Sequence, residues 1–353
     1  MAENTMKAVV CYGFGKQHKF EQAVPIPEVG PGEVLIKVDA SGICAADRSM
    51  YFNTAPWQLP FPFIPGHEFT GAVIELGEGA GELHGLTVGD RTVAELNITH
   101  GNDYYTQRGM YHLTDTMDVI GATLNGGWAE YMKYPANAIV HKIPEGMSKK
   151  AAVYVEPLAN AIHGVERGNI QFGDVVVVAG GGPIGMGMLQ AAKLKTPKAL
   201  IMLDTAEAKR KLGLELGADY AFDPTKDEYK EAVRDLTNGR GFDVYYEASG
   251  ATSSFELALA TARKAATIVV FGVYKKKAEI DLNIFGEFKE LNIFGGHLAP
   301  FTYPKAIDMM AKGLINGDAV VTHLYPLEKF AEAIELEDKP GEPRVKVAFD
   351  PAL

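Results

Sequence analysis

The chain has 353 residues, of which 47% are hydrophobic, 22% are charged and only two are cysteine. This length predicts about two domains, and the composition excludes disordered, collagen-like and disulfide-framework proteins. The 34 basic and 45 acidic side chains give a net charge of −11, which disfavours nucleic acid or an anionic membrane as the main partner. Without a signal peptide or an apolar run of membrane-spanning length, we expect a cytoplasmic protein.

The first 150 residues predict an all-β region with long loops. A β-branched run at 7–11 predicts the first strand, and Val34, Ile36 and Val38 alternate as on one face of a half-buried strand. Prolines and glycines interrupt the segments between the strands.

Near Ser148 the pattern changes to strands that alternate with helices. The apolar run Val175–Ala179 is typical of a strand buried on both faces. The elements predicted after it are a helix at 184–193, a strand at 199–203, helices at 206–216 and 226–236, a strand at 242–246, a helix at 253–263, a strand at 267–271, a helix at 304–312 and a strand at 345–349. This alternation predicts a parallel, doubly wound α/β sheet.

A glycine-rich turn follows the buried strand and opens the next helix. Gly180, Gly182 and Gly185 occupy the pattern G-x-G-x-x-G, with Pro183 and Ile184 between the last two. In a dinucleotide site these glycines make the tight turn, admit the pyrophosphate and let the helix pack closely on the strand. The free N–H groups at the start of the helix bind the phosphates. We therefore predict that this turn binds a dinucleotide.

Asp204 ends the second strand of this unit, about 20 residues after the turn. Its carboxylate can accept hydrogen bonds from the adenosine ribose and would repel a 2′-phosphate, which favours NAD over NADP. Lys209 is a candidate cofactor contact as well, although a solvated helix face explains the charge of Lys209 and Arg210 equally well.

Three separate fragments carry side chains that suit a metal ion. They contain Cys44 and Asp47, then His67 and Glu68, and finally Glu156, which is expected on a loop. A thiolate, an imidazole and carboxylates are suitable zinc ligands, and a catalytic zinc keeps one position open for water or substrate. Spacing alone does not bring these residues together, because a single cysteine is usually a small buried hydrophobe.

The fragments resemble the zinc-containing medium-chain alcohol dehydrogenase family, in particular its sorbitol (polyol) dehydrogenase branch. The family pattern G-H-E-x2-G-x5-G is present as Gly66-His67-Glu68, Gly71 and Gly77. The likeness covers essentially the whole chain, including Val88–Arg91, Gly127–Tyr131, the glycine turn and Pro326–Lys329. It implies a GroES-like all-β catalytic domain at 1–157 and 292–353, split around a Rossmann coenzyme domain at 158–291.

By matching motif, the resemblance implies that Cys44 and His67 bind one catalytic Zn²⁺ per chain. Glu68 is the adjacent family glutamate, and Glu156 stands where classical alcohol dehydrogenases have a third ligand; polyol dehydrogenases also have a glutamate there. Which of these two glutamates contacts the metal at rest stays open. Asp47 is expected to orient the His67 ring from the side that faces away from the metal.

The chain departs from the family in a lobe that commonly holds a second, structural zinc. The family form is C-G-x-C-x-x-C-x7-C, and the four cysteine positions here carry His100, Asp103, Thr106 and Thr114. His100, Asp103 and His112 are an alternative set of metal ligands, but we expect a lobe held by packing and hydrogen bonds. Of the two cysteines, Cys11 is therefore expected to be an inert core residue.

The proton relay and the substrate segment also differ from the family. Ala46 and Ser49 stand where the family often has a serine and a histidine, so Ser49, Tyr51 or water is expected to release the proton. Leu298 stands at the position of an arginine that contacts substrate in the polyol branch. The substrate is therefore not expected to be sorbitol.

The resemblance implies reversible oxidation of a secondary alcohol in a small polyol to a ketose, with hydride transfer to NAD⁺. The lost arginine favours a tetritol such as threitol or erythritol. Alternatives within the superfamily are dehydrogenases of L-threonine, butanediol or a polyol phosphate. A zinc-free binding or structural relative would lack the ligand set. A homodimer or homotetramer is expected, since the segment at 283–295 resembles the family's dimer-forming edge.

Overall fold

The computed structural model describes residues 4–55, 57–336 and 342–353. In chain order, its strands are β1 Thr5–Cys11, β2 His18–Pro25, β3 Val34–Gly42, β4 Phe69–Leu76, β5 Arg91–Ala94, β6 Asn97–Thr99, β7 Met117–Val119, β8 Tyr131–Tyr134, β9 Val140–Lys142, β10 Val175–Ala179, β11 Ala199–Leu203, β12 Tyr220–Phe222, β13 Phe242–Glu247, β14 Ala262–Val270, β15 Asn292–Gly295, β16 Val321–Tyr325 and β17 Lys346–Phe349. The α-helices are α1 Ala45–Tyr51, α2 Ala80–His84, α3 Lys149–Val153, α4 Val155–Gly168, α5 Pro183–Lys193, α6 Glu207–Glu215, α7 Glu228–Leu236, α8 Thr252–Thr261, α9 Tyr303–Ala311, α10 Gly317–Val320 and α11 Phe330–Glu335. Short 3-10 helices lie at Thr106–Arg108, Tyr111–Leu113, Leu282–Ile284 and Leu327–Lys329.

A seven-stranded sheet forms the β-rich part of the molecule. Its strands follow the order β16-β17-β3-β4-β5-β9, and β8 also pairs with β3. β17 runs antiparallel to β3, with Ala348 opposite Gly42. Strands from both ends of the described chain therefore share this sheet, and β17 lies beside the strand that leads to Cys44.

A six-stranded parallel sheet forms the second layer, in the order β12-β11-β10-β13-β14-β15. Successive residues of β10 enter two different cores, with Val176 and Val178 on one face and Val175 and Val177 on the other. Helices cover both faces, which explains why this strand is a continuous apolar run. The predicted doubly wound parallel sheet is confirmed.

Three expectations about local structure were wrong. Glu156 lies in the first turn of α4 and not on a loop, because a proline at position 157 is tolerated where a helix needs no N–H donor. β14 begins at Ala262 instead of residue 267, and it includes an irregularity at Ala265, which has a φ of 56° where the register with β13 shifts. Residues 292–295, expected in the catalytic domain, form β15 of the parallel sheet.

The described helices were also compared with the length and hydropathy that a bilayer crossing demands. None of them meets both conditions.

Candidate metal and cofactor site

Three potential ligands converge beside the adjacent ends of β3 and β4 in the seven-stranded sheet. The ligand atoms of Cys44, His67 and Glu68 all lie within 4.8 Å of one another, and no other group of this kind occurs among the described residues. Cys44 is the residue before α1, and the other two directly precede β4. Gly66 has a φ of 95°, and a side chain there would overlap the ring of Trp128. Glycine therefore suits the position directly before His67 and Glu68 on both counts.

Glu68 forms a buried ion pair with Lys346 of β17. The Lys346 ammonium donates to both carboxylate oxygens, at 2.6 Å for Oε1, and also to the Ile43 carbonyl at 3.1 Å. Both side chains are only 2% exposed. Burial lowers the pKa of Lys346, but the charges of Glu68 and Cys44 outweigh it and raise that pKa overall. Sequence reasoning missed Lys346, although a lysine inside the apolar strand Val345–Phe349 was the available signal.

Glu156 lies close to this group without belonging to its tight cluster. It is 5% exposed, and Asn160, one helical turn further on, donates to its Oε1 at 2.6 Å. Burial, reinforced by the negative charge of Glu68, raises the pKa of Glu156 to about 7. The arrangement supplies a second carboxylate that is held from its own helix and not by Lys346.

His67 and Asp47 face each other as the sequence suggested, at a longer range than a hydrogen bond. Their Nδ1 and Oδ1 atoms are 3.8 Å apart. The other Asp47 oxygen accepts from the Cys44 N–H at 2.7 Å, while Oδ1 is buried without a hydrogen-bond partner. Burial lowers the pKa of His67, but the charges of Cys44 and Asp47 raise it well above 6.5.

These side chains fit a zinc ion. A thiolate, an imidazole and a carboxylate within a few ångströms form the three-ligand set of a catalytic zinc site. The unpaired Asp47 oxygen, aimed at His67, suits the orienting role that carboxylates have behind metal-bound histidines. The negative charge that accumulates here is the kind of field a divalent cation neutralises.

The glycine turn has the geometry that a dinucleotide requires. Gly180 adopts a φ of 106°, and a Cβ there would lie 2.8 Å from the Ser249 nitrogen. A Cβ on Gly185 would overlap the Gly180 carbonyl oxygen, whereas one on Gly182 would meet no protein atom within 4 Å. The turn is thus closed toward the protein and open on the side where Gly182, Pro183 and Ile184 begin α5.

Asp204 is held against this turn by hydrogen bonds from the main chain. Its Oδ2 accepts from the Gly181 N–H at 2.6 Å and its Oδ1 from the Ala206 N–H at 2.8 Å. Arg210 donates to the Asp204 carbonyl at 2.8 Å and so faces the backbone. The Lys209 side chain packs beside Gly181. A Cβ added to Gly181 would lie 2.9 Å from the Cβ of Lys209.

The candidates for proton release are engaged in local hydrogen bonds. The Ser49 hydroxyl donates to the Ala45 carbonyl one turn earlier in α1, at 3.0 Å. The Tyr51 hydroxyl donates to Glu335 at 3.0 Å. Burial and this carboxylate raise the pKa of Tyr51 to about 12. Neither hydroxyl is bonded to Cys44, His67 or Glu156.

The lobe at 100–116 is held by a carboxylate. Asp103 accepts hydrogen bonds from the Thr106 N–H and hydroxyl, at 2.8 and 2.6 Å, and from the Thr114 hydroxyl. His100 instead contacts Asp118 at 2.6 Å. Three of the four positions that carry structural-zinc cysteines in the family therefore meet here through side-chain hydrogen bonds.

Comparison with known proteins places the chain in a family. The model of the alcohol dehydrogenase GroES-like domain matches residues 30–145, and that of the zinc-binding dehydrogenase matches residues 183–312. An erythritol/L-threitol dehydrogenase of Mycolicibacterium smegmatis is 39% identical over 98% of both chains. The chain belongs to the zinc-type alcohol dehydrogenases.

Further members of this family support the same assignment. An L-threonine 3-dehydrogenase of Pyrococcus horikoshii is 36% identical over 89% of this chain and 90% of its own. A zinc-binding dehydrogenase of Sinorhizobium meliloti, whose crystal structure contains NADP, shares 31% identity with a TM-score of 0.89 over 98% of this chain and 99% of its own. As a zinc-type alcohol dehydrogenase, the protein is an oxidoreductase that acts on CH–OH donors with a nicotinamide cofactor. The expected GroES-like and Rossmann fold is confirmed.

Proposed function

We propose that this chain is a cytoplasmic, NAD⁺-dependent polyol dehydrogenase that oxidises a secondary alcohol of a tetritol, such as erythritol or threitol, to a ketose. One observation carries the substrate: the likeness to the erythritol/L-threitol dehydrogenase extends over nearly the full length of both chains. The buried Glu156 supports it, because a carboxylate accepts hydrogen bonds from the hydroxyls of a polyol.

In this proposal Cys44, His67 and Glu68 hold one zinc, which when bound polarises the alcohol oxygen as a Lewis acid. Lys346 fixes the Glu68 carboxylate, and Asp47 limits rotation of the His67 ring. Asn160 occupies Oε1 of Glu156, so we assign Oε2 to a second substrate hydroxyl. The chain thereby orients two neighbouring oxygens of one polyol.

We assign NAD⁺ as the cofactor on the position of Asp204. Its carboxylate is held against the Gly181 N–H, and a 2′-phosphate on the ribose would meet this negative charge. Asp204→Asn keeps an oxygen acceptor but removes the charge. We expect it to raise kcat/KM for NADP⁺ relative to NAD⁺ by at least tenfold, about 1.4 kcal/mol. Asp223→Asn, which changes a neighbouring carboxylate in the next strand's loop, is the matched control.

L-Threonine is the second candidate substrate, because a relative of similar identity is an L-threonine 3-dehydrogenase. Threonine carries a carboxylate that requires a cation. Lys346 is the buried cation nearest the cluster, and it is already paired with Glu68. Glu68 and Glu156 could accept hydrogen bonds from the threonine ammonium, but the threonine carboxylate would compete with Glu68 for Lys346, a conflict that an uncharged polyol avoids.

We further propose that the protein is a homodimer or homotetramer with the domain division expected from the sequence, except at one boundary. The expected boundary at 292 moves to 296, because β15 pairs with β14 of the parallel sheet. Residues 1–157 and 296–353 would then surround 158–295, and α4 crosses the first boundary. Exposed apolar side chains near β15, such as Leu282 at 71% and Phe288 at 58%, support an interface at this edge. Light scattering after size-exclusion chromatography measures the assembly, and a monomeric mass would refute it.

The decisive experiment measures NADH formation with glycerol, erythritol, L-threitol, xylitol, sorbitol and L-threonine. We expect the highest kcat/KM with a tetritol and about one zinc per chain by metal analysis. Cys44→Ala should abolish turnover and zinc binding with little change in secondary structure, whereas Cys11→Ala should retain both. A preference for L-threonine would favour the second candidate, and turnover without zinc would refute the mechanism.

A further inference from the structure

A short connection at 296–302 crosses from the cofactor side of the molecule to the metal side. It leaves the carboxyl end of β15, at the sheet edge where ligands bind in open α/β folds. It ends at α9, where the Thr302 hydroxyl donates to the Ala159 carbonyl of α4 at 2.8 Å. Ala159 lies less than one turn along the helix from Glu156. The connection therefore lies between the cofactor edge and the helix that carries a candidate catalytic glutamate.

Two residues of this connection have strained backbone. Leu298 has a φ of 52° and Phe301 a φ of 60°. Bulky side chains rarely adopt this left-handed region, and each instance costs about 1–3 kcal/mol. Such a conformation persists only where its surroundings impose it. The neighbours of the turn at 298–301 must therefore supply the constraint.

Tyr111 of the lobe is the neighbour that contacts Phe301 directly. The Phe301 N–H donates to the Tyr111 hydroxyl at 3.0 Å. The two rings meet edge to face, with centroids 5.1 Å apart and an interplanar angle of 85°. Tyr111 is 7% exposed, whereas the Phe301 side chain is 61% exposed. The main chain of Phe301 is thus tied down while its ring remains largely in solvent.

Glu95 sets the direction of the hydrogen bond between Tyr111 and Phe301. The Tyr111 hydroxyl donates its single proton to Glu95 Oε2 at 2.7 Å, which leaves an oxygen lone pair for the Phe301 N–H. Glu95 is 2% exposed, and His141 contacts its other oxygen at 3.1 Å through Nε2. The hydroxyl can accept from Phe301 because a buried carboxylate, fixed just after β5, takes its proton.

We infer that Tyr111 is a positioning residue for the alcohol site, an inference that rests on the function proposed above. Its hydroxyl, aligned by Glu95, holds the strained turn at 298–301 next to α4, the helix that carries Glu156. The lobe therefore helps to shape the substrate site, because its Tyr111 contacts the connection between β15 and α9.

Tyr111→Phe tests this inference, because it removes the acceptor and keeps the ring. We expect the KM for the best alcohol to rise about tenfold, as loss of one hydrogen bond predicts. The kcat and the Kd of NADH should stay within about twofold, since the metal ligands and the glycine turn are untouched. Tyr104→Phe makes the same change at a 61% exposed tyrosine of the same lobe and should alter neither constant. Glu95→Gln, whose amide oxygen still accepts from Tyr111, should lie closer to wild type than Tyr111→Phe does.

Hydrogen exchange of the peptide that covers 296–303 measures whether the hydrogen bond from Phe301 to Tyr111 holds this connection, and it requires no turnover. Tyr111→Phe should speed exchange there and Tyr104→Phe should not. Unchanged exchange would overturn the proposed bond, and faster exchange with an unchanged KM would overturn the positioning role. A wild-type chain that oxidises no alcohol refutes the proposed function, and this inference with it. Normal wild-type turnover together with an unaffected Tyr111→Phe variant refutes the inference alone.

Discussion

The Thr114 hydroxyl donates to the Asp103 carboxylate and closes a loop of ten intervening residues. The same carboxylate binds the Tyr105 and Thr106 N–H groups at 2.9 and 2.8 Å. Where the family has four thiolates around a metal, this lobe has the Asp103 carboxylate, which accepts hydrogen bonds from Thr106 near one end of the loop and from Thr114 at the other. These hydrogen bonds lower the pKa of Asp103 to about 2.

Asp103→Ala is expected to loosen the lobe, because it leaves the Thr106 and Thr114 hydroxyls without their acceptor. Thermal unfolding should begin earlier, and limited proteolysis should cut within 100–116. Asp115→Ala, at an exposed aspartate of the same lobe, is the control. Because the folded pKa lies below the ordinary value of 3.8, the stabilisation is complete above about pH 4 and is lost as the pH falls toward 2. Equal melting curves for both variants would contradict this account.

The two cysteines should react differently with a thiol reagent. Cys44 is partly exposed, whereas Cys11 is fully buried, and burial raises its pKa to about 11. Zinc-loaded native protein should protect Cys44, treatment with a chelator should free one thiol, and denaturant should free both. Cys11→Ala should keep the chelator-dependent thiol and Cys44→Ala should lose it. A thiol that reacts at full zinc occupancy would contradict the ligand assignment of Cys44.

Lys346→Met should destabilise the protein strongly, since it leaves the Glu68 carboxylate buried without its cation. Loss of one partner of a buried ion pair costs about 3–5 kcal/mol. The double variant Glu68→Gln with Lys346→Met should lose less than the sum of the single variants, measured by urea unfolding of the metal-free protein. Strict additivity would show that the two side chains are not coupled.

His18 should make folding sensitive to mild acid. Its imidazole is 5% exposed beside Tyr51, and both ring nitrogens are buried without hydrogen-bond partners. Burial lowers the pKa of His18 to about 4, so below pH 6.5 the unfolded chain binds a proton that the folded chain excludes. The His18 contribution to the free energy of unfolding should be complete above pH 6.5 and fall by about 3 kcal/mol down to pH 4. This slope adds to that of His112, whose pKa burial also lowers to about 4. His18→Leu should flatten this slope and His84→Leu should not, and an unchanged slope in His18→Leu would refute the assignment.

Structure could be predicted best from the sequence where a single physical requirement explains the residue types present. Val175–Ala179 is continuously apolar because alternate side chains enter two cores, so its position in the sheet could be read directly. At Gly180 and Gly185 any side chain would lie too close to neighbouring backbone atoms, so only glycine fits there. The turn could therefore be recognised from the sequence. The same holds for Gly66 before His67.

Contacts between distant residues were beyond reach. Nothing local indicates that Lys346 faces Glu68 or that Tyr111 meets Phe301, because each pairing depends on how two sheets and a lobe pack. The sequence predicts a loop at Glu156, whereas the structure places it in the first turn of α4. Asp103 could be aligned with a cysteine position, but its role as acceptor appears only with the lobe folded.

The ion pair between Glu68 and Lys346 also orders events during synthesis. The two residues are 278 positions apart, so a ribosome that makes about 5–20 residues per second adds the lysine roughly 15 to 55 s after the glutamate. Throughout that interval the nascent amino-terminal β-strands carry an acidic group that they cannot yet bury at low cost. The cluster of Cys44, His67 and Glu68 therefore reaches its final electrostatic environment only after the six-stranded sheet has been synthesised and β17 has added to the seven-stranded sheet.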